Sequence, residues 1–219
     1  MNDAIGIVAV AFGPIDVPEA CARAADLGFD HVDAGVAGIE ALSSEALAAL
    51  PVPIGDRIGG FEMQPDATCM ALSERRGEDH FDRTIELFRQ FPGARLEPGP
   101  RTAADSVERV EAIVAAVPGL RLTLDTGHVA AWGEDPVRLL KYAGHVQLRQ
   151  AAKGRPQLYP DEGGDVDFAA VFAELERLDY RGLLSVEYFD LPDYGWPLDD
   201  PVGHAVALAA HVRPLLAAS

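Results

Sequence analysis

Short apolar runs alternate with longer amphipathic ones along almost the whole chain. Strand-like runs occupy residues 5–12 (IGIVAVAF), 31–36 (HVDAGV), 52–58 (VPIGDRI), 94–99 (ARLEPG), 120–125 (LRLTLD), 145–149 (HVQLR) and 183–189 (LLSVEYF), with an eighth at 67–73 (ATCMALS). Between them, HFDRTIELFRQF places Phe81, Ile85, Phe88 and Phe91 at helical spacing, and SVERVEAIVAAV does the same with Val107, Val110, Ile113, Val114 and Val117. Helix starts are marked by the capping-box form Asp16-Val-Pro-Glu19, by Asp135-Pro136 and Asp200-Pro201, and by Asp167 ahead of FAAVFAELERL. Repeated strand–helix order predicts parallel strands joined by helical crossovers. Seven or eight such units ending in a helix fit a (β/α)8 TIM barrel of the α/β class, one domain over residues 1–219, somewhat shortened in its N-terminal half. The competing architecture is an open doubly wound sheet, but no GxGxxG follows the first strand.

The parity of the late strands favours the barrel. Arg95 and Glu97 share a face while Leu96 takes the other; Arg121, Thr123 and Asp125 lie opposite Leu122 and Leu124. His145, Gln147 and Arg149 form one face of the next strand, and Ser185 and Glu187 one face of the last. A parallel strand covered on both faces by helices reads as almost continuously apolar. These four instead have one apolar face, suited to a helix layer, and one polar face that strengthens toward the C-terminal end. In a barrel the polar face is the interior and its mouth, where active sites of this architecture lie. Glu97, Asp125, Gln147 and Glu187 are thereby aimed at one point.

Composition narrows the function classes. A hydrophobic content of 48% supports one well-packed core, and a formal net charge of −17 repels nucleic acid and anionic membranes. The N-terminal run carries acid rather than base and is too short for a signal peptide, no stretch approaches a membrane span, and the expectation is a cytoplasmic protein. Cys21 and Cys69 have no metal-binding or redox spacing and read as buried thiols. The expected partner is a small polyol or keto substrate, with a homo-oligomer left open.

Two glutamates, an aspartate and an amide oxygen make a set of hard ligands for one divalent ion, with Mg2+ or Mn2+ suited and Co2+ or Zn2+ as alternatives. Without a cation, three converging carboxylates would repel one another toward protonation. His128, one turn beyond Asp125, either caps the following helix or bonds a substrate oxygen; His145, on the inward face of its strand, either supports the ligands or lies against substrate. Arg149 and Arg155, with Lys153 between them, place positive charge beside the acidic site and suit a substrate hydroxyl, carboxylate or phosphate. The tail DLPDYGWPLDDP (190–201) follows the last ligand strand; with Tyr188, Phe189, Tyr194 and Trp196 it is expected to fold over the mouth, Trp196 against the substrate.

The segment LDTGHVAAWGEDPVRLL…HVQLRQ…GGDVDFAAVFAELERLDYRGLLSVEYF resembles the xylose-isomerase-like superfamily of TIM-barrel sugar (phosphate) isomerases and epimerases. The likeness runs from about Leu96 to Phe189 and rests on four motifs in order: a DTGH-type strand end, a HVHLKD-type strand, a G-D/E-V/I-D-F segment and a Y-x-G-x-L-S-x-E last strand. It implies that Glu97, Asp125, Gln147 and Glu187 are metal ligands, that Glu97 and Glu187 form an acid/base pair, and that His128 and Arg149 or Arg155 contact substrate. Most members have histidine where Gln147 stands; the HVQ form is similar to the hydroxypyruvate-isomerase branch, although RQAAKGRPQ departs from that branch's usual loop. The implied reaction is isomerisation or epimerisation through a metal-bound cis-enediolate. A lyase or dehydratase of the dehydroshikimate or inosose type would use the same enediolate, and a non-catalytic small-ligand-binding barrel is the alternative of another class. The apurinic endonuclease branch would need more histidines than His128 and His145 in this region.

Overall fold

The structure, a computed structural model, describes residues 3–72, 80–192 and 195–217. Eight parallel strands close into a barrel in chain order: β1 (Ile5–Val8), β2 (Val32–Gly35), β3 (Ile54–Gly60), β4 (Thr68–Met70), β5 (Arg95–Glu97), β6 (Arg121–Asp125), β7 (Ala143–Leu148) and β8 (Leu184–Val186). Closure runs through β1 and β8, with Ile5 opposite Leu184 and Ile7 opposite Val186. The expected segment at 67–73 is thus a strand, β4, although its last residue, Ser73, lies outside the described residues.

Helices form the outer layer: α1 (Val17–Asp26), α2 (Val36–Glu40), α3 (Ser44–Ala48), α4 (Phe81–Gln90), α5 (Val107–Ala116), α6 (Thr126–Trp132), α7 (Phe168–Arg177) and α8 (Pro201–Leu216). Their starts follow the expected caps. Asp16, Asp167 and Asp200 each accept a backbone N–H three residues on, from Glu19 at 2.8 Å, Ala170 at 3.0 Å and Gly203 at 2.9 Å. The short N-terminal half has a specific form. Two one-turn helices follow β2, and residues 61–67 join β3 to β4 without a helix.

One strand expectation is corrected. Residues 9–12 continue the apolar run of β1 but form a 3-10 turn (Ala9–Phe12), not strand. The barrel ends there, and the chain must bend outward to reach α1; Ala11 and Phe12 still bury their side chains in the helix layer.

The apolar faces of β5 to β8 point outward as their alternation requires. Leu96, Leu122, Leu124, Val146, Leu148, Leu184 and Val186 are buried among residues such as Val110, Ile113, Leu139 and Phe172. The opposite faces fill the barrel with polar groups. Beneath the mouth, His145 Nε2 lies 2.7 Å from Asp33 Oδ2, His31 Nε2 lies 3.0 Å from Ser185 Oγ, and Thr68 Oγ1 donates to Asp56 Oδ2 at 2.6 Å. Arg95 completes this layer by pairing with Asp56. Burying a polar group costs little only when it is partnered, and these interior groups partner each other across strands.

Candidate functional site

The C-terminal ends of β5, β6, β7 and β8 carry Glu97, Asp125, Gln147 and Glu187, all buried. Strand register places Asp125 beside Gln147 and Gln147 beside Ser185, so the inward parity read from the sequence is the parity of the barrel. Glu97, Asp125 and His128 each offer a ligand atom within 4.8 Å of the other two.

Asp125 does two jobs. Its Oδ1 accepts the N–H groups of Gly127 at 2.7 Å and His128 at 3.3 Å, capping α6. Its Oδ2 faces His128 Nε2, 3.6 Å away, and is in close ion pair with the Arg149 guanidinium. The cap fixes His128 on the first turn of α6. There its Nδ1–H donates to the Pro98 carbonyl at 2.7 Å. A carbonyl only accepts, so the neutral ring carries its proton on Nδ1 and leaves the Nε2 lone pair facing the site. Burial, with the Arg149 charge adding to it, lowers the His128 pKa to about 4, which keeps the ring neutral.

The carboxyls divide by environment. Glu97 is pushed up to about 8, first by loss of hydration and then by the Asp125 charge. Glu187 is raised well above the usual range by burial and by its two acidic neighbours, and it shares a hydrogen bond with Asp125. Burial acts on Asp125 in the same sense, but Arg149, His128 and these hydrogen bonds outweigh it and hold its carboxyl below the ordinary value.

Gln147 has no exposed surface, and neither its Oε1 nor its Nε2 has a hydrogen-bond partner among the described residues. Glu187 Oε2 is in the same condition. Orphaned buried polar atoms are uncommon and call for a missing partner. Two carboxylates, an imidazole nitrogen with a free lone pair and an unpaired amide oxygen are a donor set that fits a divalent ion.

The two candidate arginines part company. Arg149 continues the inward parity of β7 and is fully buried, its guanidinium over the rings of Phe189 at 4.7 Å and Trp196 at 5.1 Å. Arg155 lies exposed in the following turn, its backbone bridged to Ala152. Lys153 is exposed as well, its stem against Gly133. His145 sits one layer below the mouth and is committed to Asp33, which holds its pKa up against the effect of burial. Trp196 stands edge-on to His128 with ring centres 5.3 Å apart and stacks on Phe189 at 5.4 Å, so this part of the tail does reach the mouth. Tyr194 of the same tail lies outside the described residues. Tyr188, in contrast, points away from that group and donates its hydroxyl to the Leu158 carbonyl at 2.8 Å.

The sequence reading did not assign Asp33, Asp56 or Thr68, which build the floor of the site. HVDAG carries the same inward alternation as the late strands at His31 and Asp33, and that signal was available. Ser185, His31 and Asp33 are not a nucleophilic triad: serine and aspartate approach the same ring nitrogen, Nε2, at 3.0 and 3.8 Å, so no proton relay passes through the ring.

Known proteins share this architecture. The structure of an L-ribulose 3-epimerase superposes with a TM-score of 0.72, at 15% identity, covering 98% of this chain and 94% of that one. A xylose isomerase-like TIM barrel protein from Mycobacterium smegmatis, solved in complex with magnesium, gives a TM-score of 0.72 at 15% identity, covering 98% and 97%. At these identities the likeness is one of fold. In sequence, a putative hydroxypyruvate isomerase from Danio rerio is 29% identical over 93 residues, which is 41% of this chain and only 31% of that protein's length. The family model described as xylose isomerase-like TIM barrel matches residues 73–211, a span that holds β5 to β8 and every mouth residue above; the chain belongs to that family.

Proposed function

We propose that this chain is a divalent-metal-dependent isomerase or epimerase of a small sugar, keto-sugar or sugar acid. The observation that carries this reading is the convergence of Glu97, Asp125 and His128 within ligating distance at the barrel mouth, beside the orphaned Gln147 and Glu187 atoms. Glu97, Asp125, Gln147 and Glu187 would hold the ion, with His128 Nε2 at its edge. When bound, a divalent ion supplies Lewis acidity, polarising a substrate carbonyl and making the neighbouring C–H more acidic.

The remaining work falls to the chain's own groups. Glu97 and Glu187 are the candidates to take a proton from one carbon and return it to another carbon or the opposite face. Both are buried at the mouth, and among the described residues neither is held in a strong ion pair of its own. His128 Nε2 and the Gln147 amide are placed to orient substrate oxygens. Trp196 and Phe189 shield the mouth and keep water from a reactive carbanion equivalent.

The test combines metal analysis of the purified protein with a ketose and aldose screen, run with and without chelator. Glu187→Gln keeps an oxygen ligand but cannot accept a proton, so turnover should fall by about a hundredfold or more while metal stays bound. Activity within about tenfold of wild type, with metal loading confirmed, removes Glu187 from the acid/base role. An enone absorbance in place of an isomeric sugar would reassign the chain to the dehydratases.

A further inference from the structure

The mouth already contains a cation, and it is part of the chain. Arg149 has no exposed surface, and its Nη2 is in close contact with Asp125 Oδ2 and 3.7 Å from Glu187 Oε2. Asp125 Oδ1 is occupied by the amides of α6, so Oδ2 is the oxygen turned toward the site. A guanidinium and a divalent ion would therefore contend for the same lone pairs. Arg149 is well anchored but poorly satisfied. Its backbone N–H and carbonyl both bond the Thr126 hydroxyl, at 2.9 and 3.0 Å, and its stem lies against Gly127, while Nε and Nη1 are buried with no hydrogen-bond partner among the described residues. The Phe189 and Trp196 rings favour the positive head without filling those donor positions.

We infer that Arg149 is a built-in counter-cation that a divalent ion must displace from Asp125, and that the displaced guanidinium is then taken over by an anionic group of the substrate, a carboxylate or a phosphate. The inference rests on the metal reading above and deepens it by naming the substrate class. Once the ion neutralises Asp125, a buried guanidinium needs another anion, because an unpaired charge there is costly. Ion and anion should therefore bind cooperatively, each tightening the other by the same factor.

Mn2+ titrations followed by electron paramagnetic resonance test this without any turnover. Wild type, Arg149→Met and Asp125→Asn are compared, alone and with acetate or inorganic phosphate, with free Mn2+ corrected for complexation by the anion. Arg149→Met should bind Mn2+ about tenfold more tightly or better, the range expected for releasing a charged hydrogen bond. Either anion should tighten Mn2+ binding to wild type several-fold but leave Arg149→Met unchanged, and the stronger of the two identifies the substrate's group. If Arg149→Met does not fold, Arg149→Gln carries the same expectation. Equal affinity in wild type and the Arg149 variant, or an anion effect that is absent or persists in the variant, overturns the inference. Mn2+ affinity that Asp125→Asn leaves unchanged belongs to a site elsewhere and overturns the metal reading too, which separates the two failures.

Discussion

Glu97 leads to a stability prediction with a definite sign. Its carboxyl is raised from 4.5 to about 8 in the folded protein, by burial first and the Asp125 charge second, against the opposing pull of Arg149. Between those values the folded state holds a proton that the unfolded chain has released. In the absence of a divalent ion, the contribution of this group is therefore most favourable below pH 4.5, declines as pH rises, and levels off above about 8. Each pH unit in that window is worth at most about 1.4 kcal/mol, so the whole span is bounded on the order of 4–5 kcal/mol. That is a sizeable share of the stability of an ordinary domain. Glu97→Gln replaces the protonated carboxyl by a neutral group of the same shape and removes the titration. Urea unfolding in chelator should give similar stabilities for the two proteins near pH 5. At about pH 9 wild type should be the weaker by several kcal/mol, on the order of the bound above. Adding Mn2+ should reverse that order, because the ion is held more tightly by an ionised Glu97 than by a neutral glutamine oxygen. A difference between the two proteins that does not change with pH in chelator would refute the reasoning.

Two substitutions test the surroundings. Gln147→His exchanges an amide oxygen for an imidazole nitrogen, so it should raise affinity for Zn2+ or Co2+ more than for Mg2+, and titration of both proteins with each metal decides it; no relative gain for Zn2+ would show that residue 147 is not a ligand. Gly127→Ala places a Cβ 2.7 Å from Arg149 Nε and 2.9 Å from Arg149 Cβ, and the Thr126 bonds leave that stem little room to retreat. The overpacking should cost about 1–3 kcal/mol, partly offset by the better helix propensity of alanine, and a thermal melt as stable as wild type would show that the stem moves freely.

The inward direction of Glu97, Asp125, Gln147, Arg149 and Glu187 was legible in the sequence because alternation along a strand is a local property. Once the apolar residues of β5 to β8 are assigned to the helix layer, the polar ones have nowhere to point but the barrel interior. Helix starts were legible for the same reason, since Asp16, Asp167 and Asp200 cap residues only three positions away. What the local pattern does not carry is distance. His145 and Asp33 are 112 residues apart in the chain, and only closure of the barrel brings them to 2.7 Å. The choice between Arg149 and Arg155 was likewise tertiary, because it depends on where β7 stops: residue 149 still follows the strand's parity, while residue 155 has entered an exposed turn. The apolar stretch at 9–12 has the composition of a strand and becomes a 3-10 turn, because a barrel strand cannot extend beyond the neighbours that bond it. Periodicity reports which face a side chain takes; which partner it meets on that face, as Asp125 meets Arg149, is settled only when all eight strands close around it.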